Sequence, residues 1–465
     1  MLNESPTPGG AERSGIRALF SQEARWQAWL DIEAALALTQ AELGMIPADS
    51  AKRIADVAHL SLLDADRLAE AAERTNHPLV PLVWELSRVA GDHDGGWVHW
   101  GATTQNILQT GDIVLLRLAH VMLLRSLAAI LDELASLCER AATMVIAGRT
   151  HGQHAVPTTM GFKVAVWTDE LARHVERMRS AETRVFTAML GGAVGNYASL
   201  GEQGPAVQDG VARRLGLTPM TIPARSVGDH LAEYVCLLGL LAATIAKMAR
   251  EIYTLMKTEF QEVEEPVAKG TVGSSTMPQK RNPKLCQAII ADSATPRAMV
   301  AVALEAMQVE HEADRSHYLM MQRALESSVV ATGDMLSGMA KVLDGLQLFP
   351  ERMRRNAELS NGLMMSEAVM LHIGRTAGRQ AAHDIVYDNA QRAALESIPL
   401  ATLLAADPRV TGLTTGDLDR LLDPESYVGL SAQLAQQGAE LGRRAAVELS
   451  HHIDELSTIA SGRFG

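Results

Sequence analysis

ILQTGDIVLLRLAHVMLLRSLAAILDELASLCERAATMVI, residues 107–146, holds no proline and a single glycine, Gly111. Those two residue types are the ones that end helices, so their near absence predicts one helix of unusual length. Three more stretches read the same way, over 161–190, 229–265 and 283–344, the last kinked or broken at Pro296. Helices this long cannot each bury an apolar stripe on a small neighbour. The stretch 230–256 is apolar around most of its surface, so an elongated bundle that joins further copies of the chain is expected.

Outward from the bundle the pattern changes on both sides. Residues 1–14, MLNESPTPGGAERS, are rich in proline, glycine and serine and are expected to form a flexible tail. A small helical N-terminal domain is expected over 15–106, with helices over 20–43, 61–74 and 76–89, and the central bundle over 107–348. From 349 to 465, shorter helices separated by Gly362, Gly374, Pro399 and the turn-rich ADPRVTGLTTGD predict a third, mainly helical domain. The fold class expected is all-α.

Composition narrows the function. Aromatics are only 4% of the 465 residues, and the net charge of -13 disfavours nucleic acid as a partner. Cys138, Cys236 and Cys286 are scattered and odd in number, so neither a disulfide framework nor a zinc site is expected. The most apolar window, residues 235–246, is too short to span a bilayer, and no secretory leader is visible. A cytoplasmic protein without a membrane partner is the expectation. GGAVGN lacks dinucleotide spacing and His451 and His452 are adjacent on a helix, so neither a cofactor nor a metal is expected.

Three irregular stretches carry chemistry. GTVGSSTMPQKRNP, residues 270–283, must be a loop, and it gathers Ser274, Ser275, Lys280, Arg281 and Asn282, groups that bind carboxylates and move a proton. Its glycines suit a mobile lid that closes over an anionic substrate. GATTQNILQTGD, residues 101–112, clusters Thr103, Thr104, Gln105 and Asn106 where the long helix begins, and free amides at a helix start attract carboxylates. A plain N-cap is the competing reading. GRTHGQHAVPTTMG, residues 148–161, sets His151 among Thr150 and Gln153, and imidazole is the side chain most easily poised near neutral pH.

GSSTMPQKRNP resembles the G-S-S-x-M-P-x-K-x-N-P signature of the fumarase/aspartase superfamily at every fixed position, and the other two stretches resemble its T-S-x-D and T-H-x-Q regions. FSQEARWQAWLDIEAAL, GWVHWGATTQ and SNGLMMSEAVM are similar to the branch of adenylosuccinate lyase and 3-carboxy-cis,cis-muconate cycloisomerase. The resemblance implies a three-domain helical fold, a homotetramer whose active sites each draw the three stretches from three subunits, and anti β-elimination on a succinyl-type dicarboxylate. It implies Ser274 as the base with Ser275 as the fallback, Lys280 and Asn282 on the carboxylate that gains charge, and His151 as the acid for the leaving group. Thr104 and Gln153 would hold a carboxylate. His99, Thr103, Gln105, Asn106, Thr150, Met277 and Arg281 lie within the matched stretches and are expected at the substrate.

Departures point away from a nucleotide. Adenylosuccinate lyases carry a glutamate after the lid where this chain has Gln287, and the aspartate of T-S-x-D is Asn106. In HEADRSHYLMMQ, residues 311–322, Ala313 and Gln322 replace the arginines that serve the nucleotide, and Arg315 and Arg323 are expected to face elsewhere on a helix. The expected reaction is C–N cleavage of a non-nucleotide N-succinyl compound or aminopolycarboxylate. A cycloisomerase or epimerase, adenylosuccinate lyase itself, and an inactive structural homologue are the alternatives.

Overall fold

The computed structural model describes residues 14–267, 276, 277 and 279–461. Helices α1 (Gln22–Glu42), α2 (Ala48–Val57), α3 (Ala65–Thr75) and α4 (Val80–Ala90) form an N-terminal layer. Ser21 starts α1 by accepting the Ala24 amide, Asp64 does the same for α3 through Arg67, and α4 carries Pro81 in its first turn, where a missing N–H costs nothing. The sequence reading had no counterpart for α2, which starts after Pro47 without a side-chain cap.

The long stretch of 107–146 is helix α5 (Thr104–Arg140), followed by a hairpin of β1 (Val145–Thr150) and β2 (Gln153–Thr159). Helix α6 (Met160–Val185) starts on Thr159, whose hydroxyl accepts the Phe162 amide. Short strand β3 (Thr187–Ala188) pairs with β4 (Thr218–Pro219) around α7 (Gly204–Leu215). Helix α8 (Asp229–Leu255) stops ten residues before the expected end, because Glu262 and Glu265 turn inward and β5 (Val263–Glu264) pairs with β6 (Gln347–Leu348).

The expected helix over 283–344 is three helices, α9 (Lys284–Asp292), α10 (Ala294–Glu305) and α11 (Arg315–Asp344). The first break falls at Ser293, and Pro296 sits in the first turn of α10, where its lost donor is an orphan in any helix. Beyond β6 lie α12 (Pro350–Glu358), α13 (Ser366–Ala377), α14 (Arg379–Glu396), α15 (Leu400–Ala406), α16 (Thr415–Leu421) and α17 (Ser431–Ser461). Short helices were expected throughout this region, yet α17 is 31 residues long and packs along α5 and α6.

Directions within the bundle decide where the chemistry lies. Gln105, Gly228 and Arg315 line one cavity, so α5, α8 and α11 begin at the same end. The β5–β6 pair joins the far ends of α8 and α11, and the hairpin after α5 lies there too, through Arg149 on Glu262. Helices α6 and α17 run the opposite way, since Thr158 meets Ser431 at one end and Arg117 donates to the Leu456 carbonyl near the other. Leu123, Leu124, Leu127, Leu131 and Leu134 of α5 are fully buried among these helices. Each such leucine contributes about 2 kcal/mol on leaving water. Gly111 is the close crossing with α1: a Cβ there would stand 2.5 Å from Cδ1 of Trp29.

Two of these helices, Thr104–Arg140 and Asp229–Leu255, are long and apolar enough by composition to cross a bilayer. Their apolar residues are instead the centre of the main core.

Candidate active site

At the start of α5, Thr103 occupies the N-cap position without a side-chain bond to the first turn, so the helix is not closed by its own hydroxyl. The first-turn amides of α5 are therefore not taken by the Thr103 hydroxyl, as they would be in a side-chain-capped helix. Asn106 is different. It is fully buried, and its Oδ1 accepts the Gly192 amide at 2.9 Å, so its side chain holds the 190–196 turn.

His99 precedes this start with a left-handed φ of 61°, and its Nδ1 lies 2.6 Å from Oε1 of buried Glu33. Burial opposes a charge on the ring, but the Glu33 carboxylate outweighs it and lifts His99 above the ordinary histidine value. A raised folded-state pKa stabilises the fold fully below the unfolded value near 6.5, and the gain is lost as pH rises through the folded one. Melting temperature should therefore fall between neutral and mildly alkaline pH, and Glu33→Gln should flatten that slope. An equal slope in the variant would remove His99 as its source.

Beside this helix start lies a cavity of about 240 Å³ between the beginnings of α5, α8 and α11. Asp112 is its acidic centre. Arg25 donates to its Oδ1 at 2.7 Å, Tyr318 Oη to its Oδ2 at 2.7 Å, and Gln322 Nε2 to both at 3.2 Å. Burial lifts the Asp112 carboxyl above its usual range even against Arg25, and burial together with Asp112 pushes the Tyr318 hydroxyl up. Arg315 lines this cavity along with Ala313 and Gln322, contrary to the expectation that it faces elsewhere. Helix α11 begins only at Arg315, with Asp314 as its cap, so helical spacing does not apply across that boundary.

At the opposite end the hairpin presents the second stretch. Thr150 pairs with Gln153 across a turn in which His151 and Gly152 have φ of 53° and 76°, the pattern of a type I′ hairpin. A histidine held in this region is strained, and strain of this kind gathers at functional sites. Thr150, His151 and Gln153 are all exposed. Below them the ladder slips between Ala147 and Arg149, where Gly148 has no room for a side chain: a Cβ would lie 2.4 Å from the Val156 carbonyl oxygen.

The hairpin is anchored by Arg149, whose guanidinium donates to both carboxylate oxygens of fully buried Glu262 at 3.0 and 2.7 Å and stacks over Phe260. Asn356 of α12 shares the same carboxylate. Arg149→Met should cost about 3 kcal/mol of unfolding free energy by stranding a buried charge, and Arg149→Met with Glu262→Gln should recover most of it. Urea titration of the three proteins checks this. A double variant no better than the single would show that the arginine acts by packing.

Ser274, Ser275 and the other residues of 268–275 lie outside the described residues. The rest of the loop lies at the hairpin's end of the bundle. Met277, Lys280, Arg281 and Asn282 line an open cleft of about 1270 Å³ with the end of α8 and the start of α12. Lys280 and Met277 are exposed, and Arg281 Nε is 3.9 Å from Glu264. Glu265, itself buried, accepts the amides of Leu285 and Cys286 at 3.0 Å and so fixes where α9 begins after the loop. His151 and Gln153 do not line this cleft.

The described residues of the three stretches are therefore not brought together within one chain. Thr104 stands at one end of α5, which at 37 residues is about 55 Å long, and the hairpin and Lys280 stand at the other. Among the described residues no cluster of side chains could hold a metal ion.

Residues 10–295 match the family described as Lyase, and residues 362–437 match the adenylosuccinate lyase C-terminus. The chain belongs to the fumarase/aspartase superfamily. Within it the chain falls on the adenylosuccinate lyase and carboxymuconate cycloisomerase branch. It is 40% identical to an N-acetyl-S-(2-succino)cysteine lyase of Enterococcus italicus over 90% of this chain and 92% of that one. It is 38% identical to a 3-carboxy-cis,cis-muconate cycloisomerase of Pseudomonas aeruginosa over 89% and 91%. A solved fumarate lyase from Mesorhizobium sp. BNC1 superposes with a TM-score of 0.86 at 34% identity, covering 92% of this chain and 98% of that one. Members of the superfamily are lyases or cycloisomerases, and this chain is an enzyme of that class.

The group of Asp112 with Arg25 and Tyr318 escaped the sequence reading, and so did the Glu33 partner of His99. The signal for the first was present, because Asp112 is the first charged residue of α5 and the apolar run 113–116 follows it directly. A charge kept there needs a partner.

Proposed function

We propose that the enzyme eliminates a thiol from a 2-succinyl thioether, releasing fumarate, in an active site assembled from several copies of the chain. Ser274 takes the proton from the carbon beside one carboxylate, and Lys280 and Asn282 hold that carboxylate as it gains charge. The electron pair closes the C=C bond and the C–S bond breaks, with the sulfur leaving as a thiolate that is protonated afterwards. Thr104 and the uncapped start of α5 receive the second carboxylate.

The observation that carries this reading is the state of position 322. Gln322 spends its amide on Asp112 and offers no charge of its own to a phosphate, so Arg225 and Arg315 are the cations of this cavity lining. The lost arginine at 322 supports a substrate other than adenylosuccinate. The similarity to a succinocysteine lyase supports a thiol rather than an amine as the leaving group. So does Gln287: an amide there cannot raise the basicity of a histidine, and a thiolate with pKa about 8.5 departs with less help from an acid than an amine does. Assembly is supported by the distance between the stretches and by Leu240, Leu304 and Val447, about half exposed on α8, α10 and α17.

The test is fumarate release, followed by absorbance, from matched S-succinyl and N-succinyl compounds with adenylosuccinate as the control. Succinyl thioethers should exceed adenylosuccinate at least ~100-fold in kcat/KM. Faster cleavage of adenylosuccinate, or lactonisation of carboxymuconate without fumarate, would overturn the reading.

A further inference from the structure

Two buried carboxylates mark the segment that follows α8: Glu262 is fully buried and Glu265 is 3% exposed. Buried acids need partners, and each has its own. Glu262 holds Arg149 and Asn356 with its side chain. Its backbone is fixed as well, the amide donating to the Leu255 carbonyl at 2.9 Å and the carbonyl accepting the Phe349 amide at 3.1 Å. Val263 and Glu264 then pair with Leu348 and Gln347. Glu265 therefore hangs from a frame already tied to α8, to the hairpin and to α12.

Its carboxylate reaches across to the far side of the polar loop. One oxygen accepts the Leu285 amide and the other the Cys286 amide, each at 3.0 Å. Those are the second and third residues of α9, whose amides a capping side chain normally takes. The cap position itself is Pro283, which makes no such bond. Burial and the neighbouring Glu265 push the Cys286 thiol up, so it stays protonated beside the carboxylate. The rear of α9 is fixed differently, by Ile289 against α11, where a Cβ on Gly338 would lie 3.1 Å from its Cγ1. The front turn has Glu265. That turn leads straight back to the cleft, because Lys284 donates its amide to the Asn282 carbonyl at 2.9 Å and Lys280 donates its own to the Met277 carbonyl at 3.0 Å.

An ordinary cap would account for the two hydrogen bonds but not for their source. Helices α1, α3 and α6 take their caps from the residue just before them. Here the acceptor comes from the other side of the loop, so it fixes where the chain re-enters the bundle relative to where it left. It also occupies the α9 amides, which leaves an arriving carboxylate to the side chains of the cleft, Lys280 and Asn282 among them.

We propose that Glu265 is a positioning residue for the reaction, setting where Lys280 and Asn282 stand by gripping the first turn of α9. The proposal rests on the reading that these two groups hold the reacting carboxylate, with Glu265 acting through them rather than on the substrate.

Glu265→Gln keeps the size of the side chain but turns one acceptor into an NH2 that faces an amide. In the purified intact enzyme it should lower kcat about 30-fold to 100-fold, the scale of a displacement of about 1 Å at a reacting group, without improving KM. Glu265→Asp keeps the charge but not the reach, so it should lose activity too, and it serves if the glutamine variant fails to fold. Were charge the whole role, Glu265→Asp would behave as the parent and Glu265→Gln would lower KM instead. A double-mutant cycle decides whether the effect passes through the cleft. Combined with Lys280→Ala or with Asn282→Ala, the total loss in kcat should fall at least about 5-fold short of the product of the two single losses, whereas loosened folding would simply multiply. The substrate is whichever compound the enzyme converts, so a failure of the thioether reading changes the compound and leaves the cycle legible. Parental kcat in a Glu265→Gln protein shown to be folded by circular dichroism, or losses that multiply, overturns the positioning role. Harmless Lys280→Ala and Asn282→Ala variants would sink the reading it rests on, and the role with it.

Discussion

Mixing His151→Ala protein with Lys280→Ala protein, each nearly inactive alone, is expected to restore activity after the subunits are exchanged under mild denaturation. If a site takes its histidine from one subunit and its lysine from another, random reassortment of equal amounts leaves about one site in four with both residues intact. The geometry behind this is plain. His151 sits on the tip of a hairpin that points into solvent, and Lys280 lines a cleft that His151 does not reach within the chain. Thr104→Ala should complement Lys280→Ala likewise, since the length of α5 separates those two residues. Mixtures that stay as inactive as their parents, while hybrid assemblies are detected by mass spectrometry, would place each site within one subunit.

The second large effect separates proton transfer from charge stabilisation. Ser274→Ala should slow deuterium exchange beside the substrate carboxylate by about a thousandfold, within the usual range for loss of a general base, with substrate binding retained. Lys280→Ala should weaken both binding and rate, because its charge meets the carboxylate in the ground state and meets it more strongly as the aci-carboxylate forms. Removing such a donor costs about a hundredfold to a thousandfold in rate. Isotope exchange followed by NMR distinguishes the cases. Should Ser275→Ala stop exchange while Ser274→Ala does not, the base is Ser275. If neither slows it, the serines only enclose the substrate.

Much of the architecture could be read from residues alone because long helices leave a plain trace, as α5 does. What escaped has physical causes. Gly438 and Gly442, which the sequence reading did not single out, are contact points of α17: a Cβ on Gly438 would lie 2.4 Å from Cβ of Ala165, and one on Gly442 3.0 Å from the Leu131 carbonyl oxygen. Close approach of two helices demands small residues, and sequence periodicity reports the missing side chain as weakness. The hairpin was hidden for a related reason, since its polar, glycine-bearing tip looks like any loop until Arg149 is seen on Glu262. The site was legible as three motifs, but not as a place. Gln109, Arg225 and His230, which line the cavity beside Asp112, come from two helices and the turn between β4 and α8, and only packing makes them neighbours.

The position of α17 sets a timetable for folding. Its hydrogen bond to α5, from Arg117 to the Leu456 carbonyl, spans 339 residues, so the bundle cannot close until nearly the whole chain has been made. At ordinary ribosomal speeds that interval is roughly 20–60 s, during which the leucine-rich flank of α5 has no final partner. A contact so distant in sequence also slows closure after synthesis, since the connecting chain must be ordered first. Chains cut before Ser431 should therefore gather on chaperones or in aggregates rather than persist as shorter soluble forms.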